Sequence, residues 1–200
     1  MGNNLWKFAT AATALGVAGF LLVDAPSAEA ASNVIRNGGF EDGSSGWTSA
    51  WSSIGAAPYH SAINNTLPFR PHIGAWKAEL GGDGLGGEGF NGQQSVSQTV
   101  TLEPKTRYIF SYWLYVTPRT AGFRELEVTA SAGGHTYRLD YRTNKDVNSG
   151  YQKVNVQLPQ DLVFTTEQRV RFSFTAVEDA VNGSPFLLDD VSLSPVANSR

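Results

Sequence analysis

The chain of 200 residues contains no cysteine. This absence excludes disulfide bonds, zinc sites built from cysteine, and thiol chemistry. The three histidines, His60, His72 and His135, are far apart and match no zinc-enzyme spacing, so a catalytic zinc is not predicted. The sequence also lacks a G-x-S-x-G motif and a Walker-type glycine loop. These absences point away from catalysis.

Charged residues are also few, at 16% of the chain, and the two signs nearly balance. The formal net charge is -3. Without the charges of Lys7, Asp24 and Glu29, all within residues 1–30, it is about -2. Such a balance gives no electrostatic footprint for nucleic acid or for an anionic membrane surface. Neither is therefore an expected partner.

Residues 1–30 have the features of a secretory signal peptide. Lys7 is the only charge before an apolar run from Phe8 to Val23, and Ala28-Glu29-Ala30 supplies an A-x-A cleavage pattern. An uncleaved membrane anchor is the alternative, but the run is short and a bilayer span needs about 20 apolar residues. The sequence predicts a secreted or cell-envelope exterior protein without a membrane span after cleavage. Its single domain covers residues 31–196, and residues 197–200 form a tail.

Strand signals dominate after residue 30, and helix signals are nearly absent. Short runs rich in Val, Thr, Tyr, Phe and Trp are broken by Gly, Asn, Pro and Asp. Because no helices separate these runs, the pattern predicts an all-β, antiparallel, two-sheet jelly-roll sandwich. Hairpin turns are predicted at Ala132-Gly133-Gly134 and at Asn148-Ser149-Gly150. The clearest predicted strands are Ser95–Leu102, Arg107–Val116, Arg124–Ala132, His135–Arg142, Tyr151–Leu158, Gln168–Val177 and Phe186–Leu193.

The last predicted strand carries one carboxylate on an apolar face. If side chains alternate strictly, the residues that share the face of Asp189 are Leu187, Val191 and Leu193. An unpaired buried carboxylate is costly, so Asp189 requires a metal ion, a set of backbone N–H donors or a cation. The residues of the strand leave these three partners open.

Three segments of the mature chain resemble a known group of secreted domains. They are NVIRNGGFEDGSSGW (33–47), SVSQTVTLEPKTRYIFSYWLYV (95–116) and FLLDDVSLSP (186–195). They are similar to segments of the secreted galactose-binding-like β-sandwiches, which include the carbohydrate-binding modules of the CenC type. The resemblance implies a two-sheet jelly roll whose first and last strands are neighbours. It does not specify a ligand, because this superfamily also supplies accessory domains to proteases and surface proteins.

The resemblance also implies a structural calcium ion, which joins the first and last strands in many relatives. Carried over by position, its ligands are Glu41 and Asp189, and backbone carbonyls near residues 37–43 complete the shell. Calcium prefers carboxylate and carbonyl oxygens, which agrees with the need of Asp189 for a partner. The alternative is that Asp189 accepts backbone N–H bonds and Glu41 is a solvated turn residue.

Strand alternation also predicts a ligand-binding face. An aromatic ring beside Arg, Asp and Glu side chains suits a sugar, because the ring stacks on C–H groups and the polar groups bind hydroxyls. The predicted ligand contacts on polar strand faces or loops are Trp113, Tyr115, Arg138, Asp140, Arg142 and Trp51. On the strand 135–142, the residues expected on the opposite, core-facing side are Tyr137, Leu139 and Tyr141.

Two alternatives to this ligand face stay open. In the first, the loop within residues 51–91 folds over Trp113 and buries it as a second small core. In the second, the charged residues of the strand 135–142 form only a salt-bridged outer face, which contributes little energy. The sequence does not show which strands are neighbours, so it does not decide between them.

The sequence thus predicts a non-catalytic module that binds a polysaccharide or glycan and holds one structural calcium. A structural or adhesive surface domain that binds protein is the alternative. A hydrolase comes third: Glu125 and Glu127 share a strand face, and a retaining glycosidase needs two carboxylates about 5–5.5 Å apart. Some jelly-roll glucanases carry E-x-D-x-E on one strand, but Val128 and Thr129 interrupt that pattern here. A solvated strand face is therefore the preferred interpretation.

Overall fold

The structure is a computed structural model that describes residues 32–53, 61–82, 91–118, 122–179 and 184–196. The elements of these residues are β1 Thr48–Ser53, β2 Ile63–Asn64, β3 Lys77–Leu80, β4 Gly92–Leu102, β5 Tyr108–Val116, β6 Arg124–Ala132, β7 His135–Thr143, β8 Gln152–Gln157, a 3-10 turn Gln160–Leu162, β9 Gln168–Glu178 and β10 Phe186–Pro195. The predicted signal peptide and the predicted tail lie outside the described residues.

The strands form two five-stranded antiparallel sheets that pack face to face. Sheet A has the order β1-β4-β9-β6-β7, and sheet B has the order β2-β3-β10-β5-β8. The all-β, two-sheet prediction is therefore confirmed, and each of the seven predicted strands is found with ends within a few residues of the prediction. The described residues include no helix long and apolar enough to cross a membrane.

The core between the sheets is built from the alternating apolar residues of β5, β6 and β9. Phe110 of sheet B stacks on Phe172 of sheet A with ring centroids 4.8 Å apart. Tyr112 meets Phe174 edge to face at 5.0 Å. All four rings are buried. Because every second residue points inward, the other residues of these strands form the two outer faces of the sandwich.

The two predicted hairpin turns have different outcomes. Gly133 and Gly134 join β6 to its neighbour β7 and both have positive φ, at 57° and 83°, which the tight hairpin turn requires. The hairpin predicted at residues 148–150 is wrong, since this segment connects sheet A to sheet B. The side chain of Asn148 accepts a hydrogen bond from the Val116 amide at 3.0 Å, so it anchors the crossover to β5.

A β-bulge changes the face on which Asp189 lies. Asp189 is opposite Trp113, but Ser192 is opposite Ser111, so β10 has one extra residue between them. Asp190 lies in this bulge and has a φ of 47°. Strict alternation is therefore wrong here: Asp189 shares the outer face of sheet B with Leu187, and Val191 and Leu193 lie in the core.

A second bulge changes the faces of β7. Val128 is opposite Asp140, whereas Thr129 is opposite Arg138, so β7 has one extra residue at this point. Asp140 and Arg142 consequently lie on the side of the core, and Tyr141 lies on the outer face. The predicted alternation of this strand is wrong beyond the bulge, because one inserted residue exchanges the two faces.

The two ends of the domain are neighbours, as the resemblance implied. The Val34 amide donates to the Leu193 carbonyl at 2.8 Å, and the Val191 amide donates to the Gly38 carbonyl at 2.9 Å. A Cβ atom at Gly38 would collide with the Val191 carbonyl oxygen. Glycine at this position thus allows the opening segment to lie against β10.

Candidate functional site

The outer face of sheet B is covered where Trp113 lies. The residues His72–Trp76, here called the strap, cross this face. The His72 ring stacks on Trp113 with centroids 3.8 Å apart and planes 17° apart. His72 also forms a 2.6 Å contact with the Asp190 carboxylate. One face of the Trp113 indole is therefore covered by the protein itself, as in the first alternative above, although the side chain is half-buried and not fully buried.

The Asp189 carboxylate binds the strap through backbone amides. Its Oδ2 accepts hydrogen bonds from the amides of His72 at 2.8 Å and Ile73 at 3.2 Å, and its Oδ1 accepts one from the Asp190 amide at 2.7 Å. The side chain is completely buried. Burial raises the pKa of Asp189 to about 6, although the three N–H donors act in the opposite direction.

Glu41 holds the other end of the strap. Its carboxylate accepts hydrogen bonds from the Ala75 amide at 3.0 Å and from the Trp76 amide at 3.1 Å. Between these contacts, Gly74 has a φ of 78°, and a Cβ atom there would collide with the Glu41 carboxylate. Glu41 and Asp189 thus both bind the strap, and each carboxylate accepts hydrogen bonds from backbone N–H groups.

The donor set around these two carboxylates does not suit a calcium ion. Every carboxylate oxygen of Glu41 and Asp189 accepts at least one backbone N–H, whereas calcium needs six to eight oxygen ligands around it. The described residues contain no group of three or more His, Cys, Asp or Glu placed to hold a metal. Calcium at Glu41 and Asp189 stays a prediction of the sequence.

A second covered part of sheet B contains a buried ion pair. Lys77 Nζ lies 3.2 Å from Glu79 Oε2, and both side chains are buried. The Lys77 ammonium also donates to Asn64 Oδ1 at 2.8 Å and to the Thr66 carbonyl at 3.0 Å. The ammonium therefore has three acceptors and links β3 to Asn64 of the neighbouring strand β2 and to Thr66, which follows it.

Asp140 and Arg142 lie at the open edge of the core, where β7 faces β8. Asp140 Oδ2 accepts a hydrogen bond from Tyr112 Oη at 2.7 Å and one from Arg142 Nε at 2.9 Å. Burial, together with the Asp140 carboxylate, raises the pKa of Tyr112 far above its ordinary value. Arg142 also lines a groove of about 280 Å³ with Asn148 and Lys153.

The six residues predicted to contact a ligand are therefore divided among separate places. Trp113 and Tyr115 lie on the outer face of sheet B, whereas Arg138 lies on the outer face of sheet A. Asp140 and Arg142 lie at the core edge. Trp51, on the edge strand β1, is opposite Gln94 and 55% exposed. No single surface contains all six.

The outer face of sheet A, here called the polar face, carries regular rows of hydrogen-bonding side chains. Strand register places the following residues side by side in three rows: Ser95, Thr175, Glu127 and Tyr141; Ser97, Ser173, Thr129 and Arg138; Thr99, Arg171, Ser131 and Thr136. Ser95 and Ser97 are buried, whereas Thr99, Arg171, Thr136, Arg138 and Tyr141 are exposed. The exposed part of the face thus combines hydroxyl groups with two arginines and one aromatic ring.

Tyr141 supplies the polar face with an aromatic ring. Its side chain is 42% exposed, and its hydroxyl donates to Glu125 Oε2 at 2.5 Å. This hydrogen bond raises the pKa of Tyr141. The Arg138 guanidinium lies 5.5 Å from the ring centroid. The ring is therefore held between a cation and a carboxylate and remains accessible to solvent.

Two grooves lie at the end of the polar face that is nearer the β6–β7 turn. The hairpin groove, about 450 Å³, is lined by Thr99, Ser131, His135, Thr136, Arg169 and Arg171, among others. The Arg36 groove, about 410 Å³, is lined by Arg36, Gly46, Gln98, Thr99, Thr101 and Arg169, among others. Since Thr99 and Arg169 line both, the two grooves adjoin each other.

Comparison with solved structures places the fold among β-sandwich domains. The chain is similar to TmCBM61 in complex with β-1,4-galactotriose, at 16% identity and a TM-score of 0.57, covering 82% of this chain and 99% of that one. It is similar to a Stig cyclase, Fisc from Fischerella sp. TAU, at 16% identity and a TM-score of 0.53, covering 84% and 98% of the two chains.

A third similar structure is the enzymatically active domain of bacteriophage CBA120 tailspike protein 4, at 15% identity and a TM-score of 0.53. That match covers 82% of this chain but only 21% of the tailspike chain. No family model and no curated protein sequence matches the chain. At these identities the likeness shows the fold alone, which is a β-sandwich of the kind found in carbohydrate-binding modules.

Proposed function

We propose that the protein is a non-catalytic module that binds carbohydrate on the polar face of sheet A. The observation that carries the proposal is the composition of this face: exposed or half-buried Ser and Thr hydroxyls, all members of the rows except the buried Ser95 and Ser97, beside the exposed ring of Tyr141. Hydroxyl, carboxylate and guanidinium groups together donate and accept the hydrogen bonds that sugar hydroxyls need. An exposed aromatic ring supplies apolar contact for the C–H groups of a sugar.

The proposal moves the ligand site from the face that the sequence favoured. A sugar that stacked on Trp113 would have to replace the His72 ring, and His72 belongs to a strap that two carboxylates hold. The polar face requires no such rearrangement, because Tyr141 is already exposed. The similarity to TmCBM61, which was solved with β-1,4-galactotriose, supports a carbohydrate ligand for this chain as well.

The remaining parts of the functional prediction are proposals of the same kind. The A-x-A pattern of residues 28–30 supports export, with the module outside the cell or on the exterior of the envelope. The kinship with the CenC type rests on the three sequence segments. The non-catalytic assignment is supported by the partners of Glu125, whose carboxylate is engaged by the Tyr141 hydroxyl.

Replacing Tyr141 by alanine is expected to weaken the binding of a polysaccharide at least about tenfold, equivalent to about 1.4 kcal/mol. The reason is that the variant removes the exposed ring of the polar face and retains the strand. Affinity electrophoresis in gels containing soluble galactan, β-glucan or polygalacturonate measures the effect as a loss of retardation. The matched control is Ile109→Ala, which removes a side chain of similar exposure, 40%, from sheet B.

Two results would contradict the proposal. If Trp113→Ala abolished retardation and Tyr141→Ala did not, the ligand would bind on sheet B. If no polysaccharide retarded the protein, and it instead self-associated or bound protein in a pull-down, the adhesive alternative would stand.

A further inference from the structure

Building on the proposed function, we propose that the carbohydrate bound by the polar face is acidic, with uronic acid carboxylates that bind the arginines of the two adjoining grooves. Arg169 lines both grooves, Arg171 lines the hairpin groove, and Arg36 lines the groove named after it. His135 lies at the opposite end of the hairpin groove. The four basic side chains thus follow one continuous depression across the end of sheet A.

The cationic groups of this depression have few partners within the protein. Arg171 Nη2 donates to Ser97 Oγ at 2.9 Å, and no carboxylate within 4.0 Å of either Arg171 or Arg169 occurs in the described part of the chain. Among the described residues that line either groove, none is Asp or Glu. A guanidinium without an acidic partner retains its capacity to bind a carboxylate from outside.

The acidic residues of the polar face lie at its other end. Ser131 is opposite Arg171, and Glu127 is four residues before Ser131 on β6. At about 3.3 Å per strand residue, this separation is roughly 13 Å along the strand. The part of the face away from the grooves thus carries Glu125 and Glu127 together with Arg138, whereas the described residues that line the grooves carry basic groups and no carboxylate, so an anion is attracted to the grooves.

The spacing of the groove residues suits repeated carboxylates along a chain. Arg169 and Arg171 are two residues apart on β9, so their Cα atoms lie about 7 Å apart and their side chains point to the same face. Each guanidinium can bind one carboxylate with two hydrogen bonds. The hydroxyls of Thr99, Thr101 and Ser131 stand beside them and offer partners for sugar hydroxyls.

An acidic polysaccharide fits these observations better than nucleic acid does. Single-stranded nucleic acids bind where aromatic rings stack on the bases, and the described residues that line the two grooves include no aromatic ring other than His135.

The test compares two polymers with the same backbone: polygalacturonate and its methyl-esterified form, whose carboxylates are neutral. Isothermal titration calorimetry with the full mature chain should give an affinity at least about tenfold higher for the acid form, decreasing as salt rises from about 50 to about 500 mM. Arg169→Gln and Arg171→Gln should each lower the affinity for the acid form about tenfold. The control is Arg107→Gln, which also removes one arginine charge but lies just before β5, in sheet B. This variant should leave the affinity for the acid form and for the methyl-esterified form unchanged.

The outcomes separate this inference from the proposed function. Equal affinity for the two polymers, or an equal loss in Arg107→Gln, overturns the acidic ligand. Binding to a neutral galactan that Tyr141→Ala abolishes, without binding to polygalacturonate, overturns the inference but leaves the proposed function intact. Failure to bind any polysaccharide overturns both. Equal affinity for single-stranded DNA and polygalacturonate shows unspecific polyanion binding and also overturns the inference.

Discussion

Replacing Asp189 by alanine is expected to lower the free energy of unfolding by about 3–5 kcal/mol. The variant leaves the amides of His72, Ile73 and Asp190 without their acceptor in a buried position, and each unsatisfied N–H costs about 1–3 kcal/mol. If the strap opens in the variant, water can bind some of these amides. The expected loss of stability is therefore smaller than the sum of the costs of three unsatisfied N–H groups. Urea unfolding followed by tryptophan fluorescence measures the loss.

The control for this variant is Asp189→Asn, which keeps one oxygen acceptor at the same place and should cost less than alanine. A chelator arm tests the calcium prediction with the same samples. Because N–H groups already satisfy both carboxylates, we expect the melting temperature of the wild type to be the same with and without chelator. A decrease that occurs in the wild type and is absent from Asp189→Ala would contradict the hydrogen-bond account and establish the metal.

Replacing Lys77 by methionine is expected to cost about 3–5 kcal/mol, because the substitution leaves the Glu79 carboxylate buried without its cation. Asn64 and Thr66 lose their donor in the same variant, so the contact of residues 64–66 with β3 weakens as well. Chemical denaturation measures the change in unfolding free energy.

A double variant, Lys77→Met with Glu79→Leu, provides the control. A buried ion pair is often no more stabilising than well-packed apolar residues of similar size, so the double variant should recover most of the loss. If the losses of unfolding free energy in the two single variants simply added up in the double variant, Lys77 and Glu79 would not be coupled. The description of the two residues as a buried ion pair would then be wrong.

Strands and their faces could be predicted wherever the alternation was uninterrupted. On β5, β6 and β9 the period of two alone places Phe110, Leu126 and Phe172 on the apolar side of their strands, and all three are buried in the structure. The two bulges could not be predicted, because one extra residue in β7 or β10 leaves no local signal and exchanges the faces that follow it. Asp140 and Asp189 were misplaced for this reason.

The buried pair on β3 was missed for a different reason. The segment Lys77-Ala78-Glu79-Leu80 has the pattern of a strand with one solvated face, and nothing local indicates a cover. Residues 63–64 form β2, which pairs beside β3, and the chain after it brings the Thr66 carbonyl to the Lys77 ammonium. Burial of this kind depends on tertiary structure, which the alternation of a single strand does not contain.

The candidate site was only partly predictable, because the sequence does not give the order of the strands within each sheet. Alternation along the sequence puts Arg169 and Arg171 on the polar side of β9, and this spacing of two is the available signal. The sequence did not reveal that β9 lies between β4 and β6, which brings Thr99 and Ser131 to either side of Arg171. Adjacent strands, and not the composition of any one strand, create the two grooves.

The central claim is that the ligand binds on sheet A, while the strap closes the aromatic face of sheet B. The most direct test is a two-dimensional NMR titration of the labelled protein with galacturonate and galactose oligosaccharides. The account predicts shifts for amides of β4, β6 and β9, including Thr99 and Arg171, and an unchanged indole N–H signal of Trp113. Shifts of the Trp113 indole and of the strap amides, with sheet A unchanged, would contradict it.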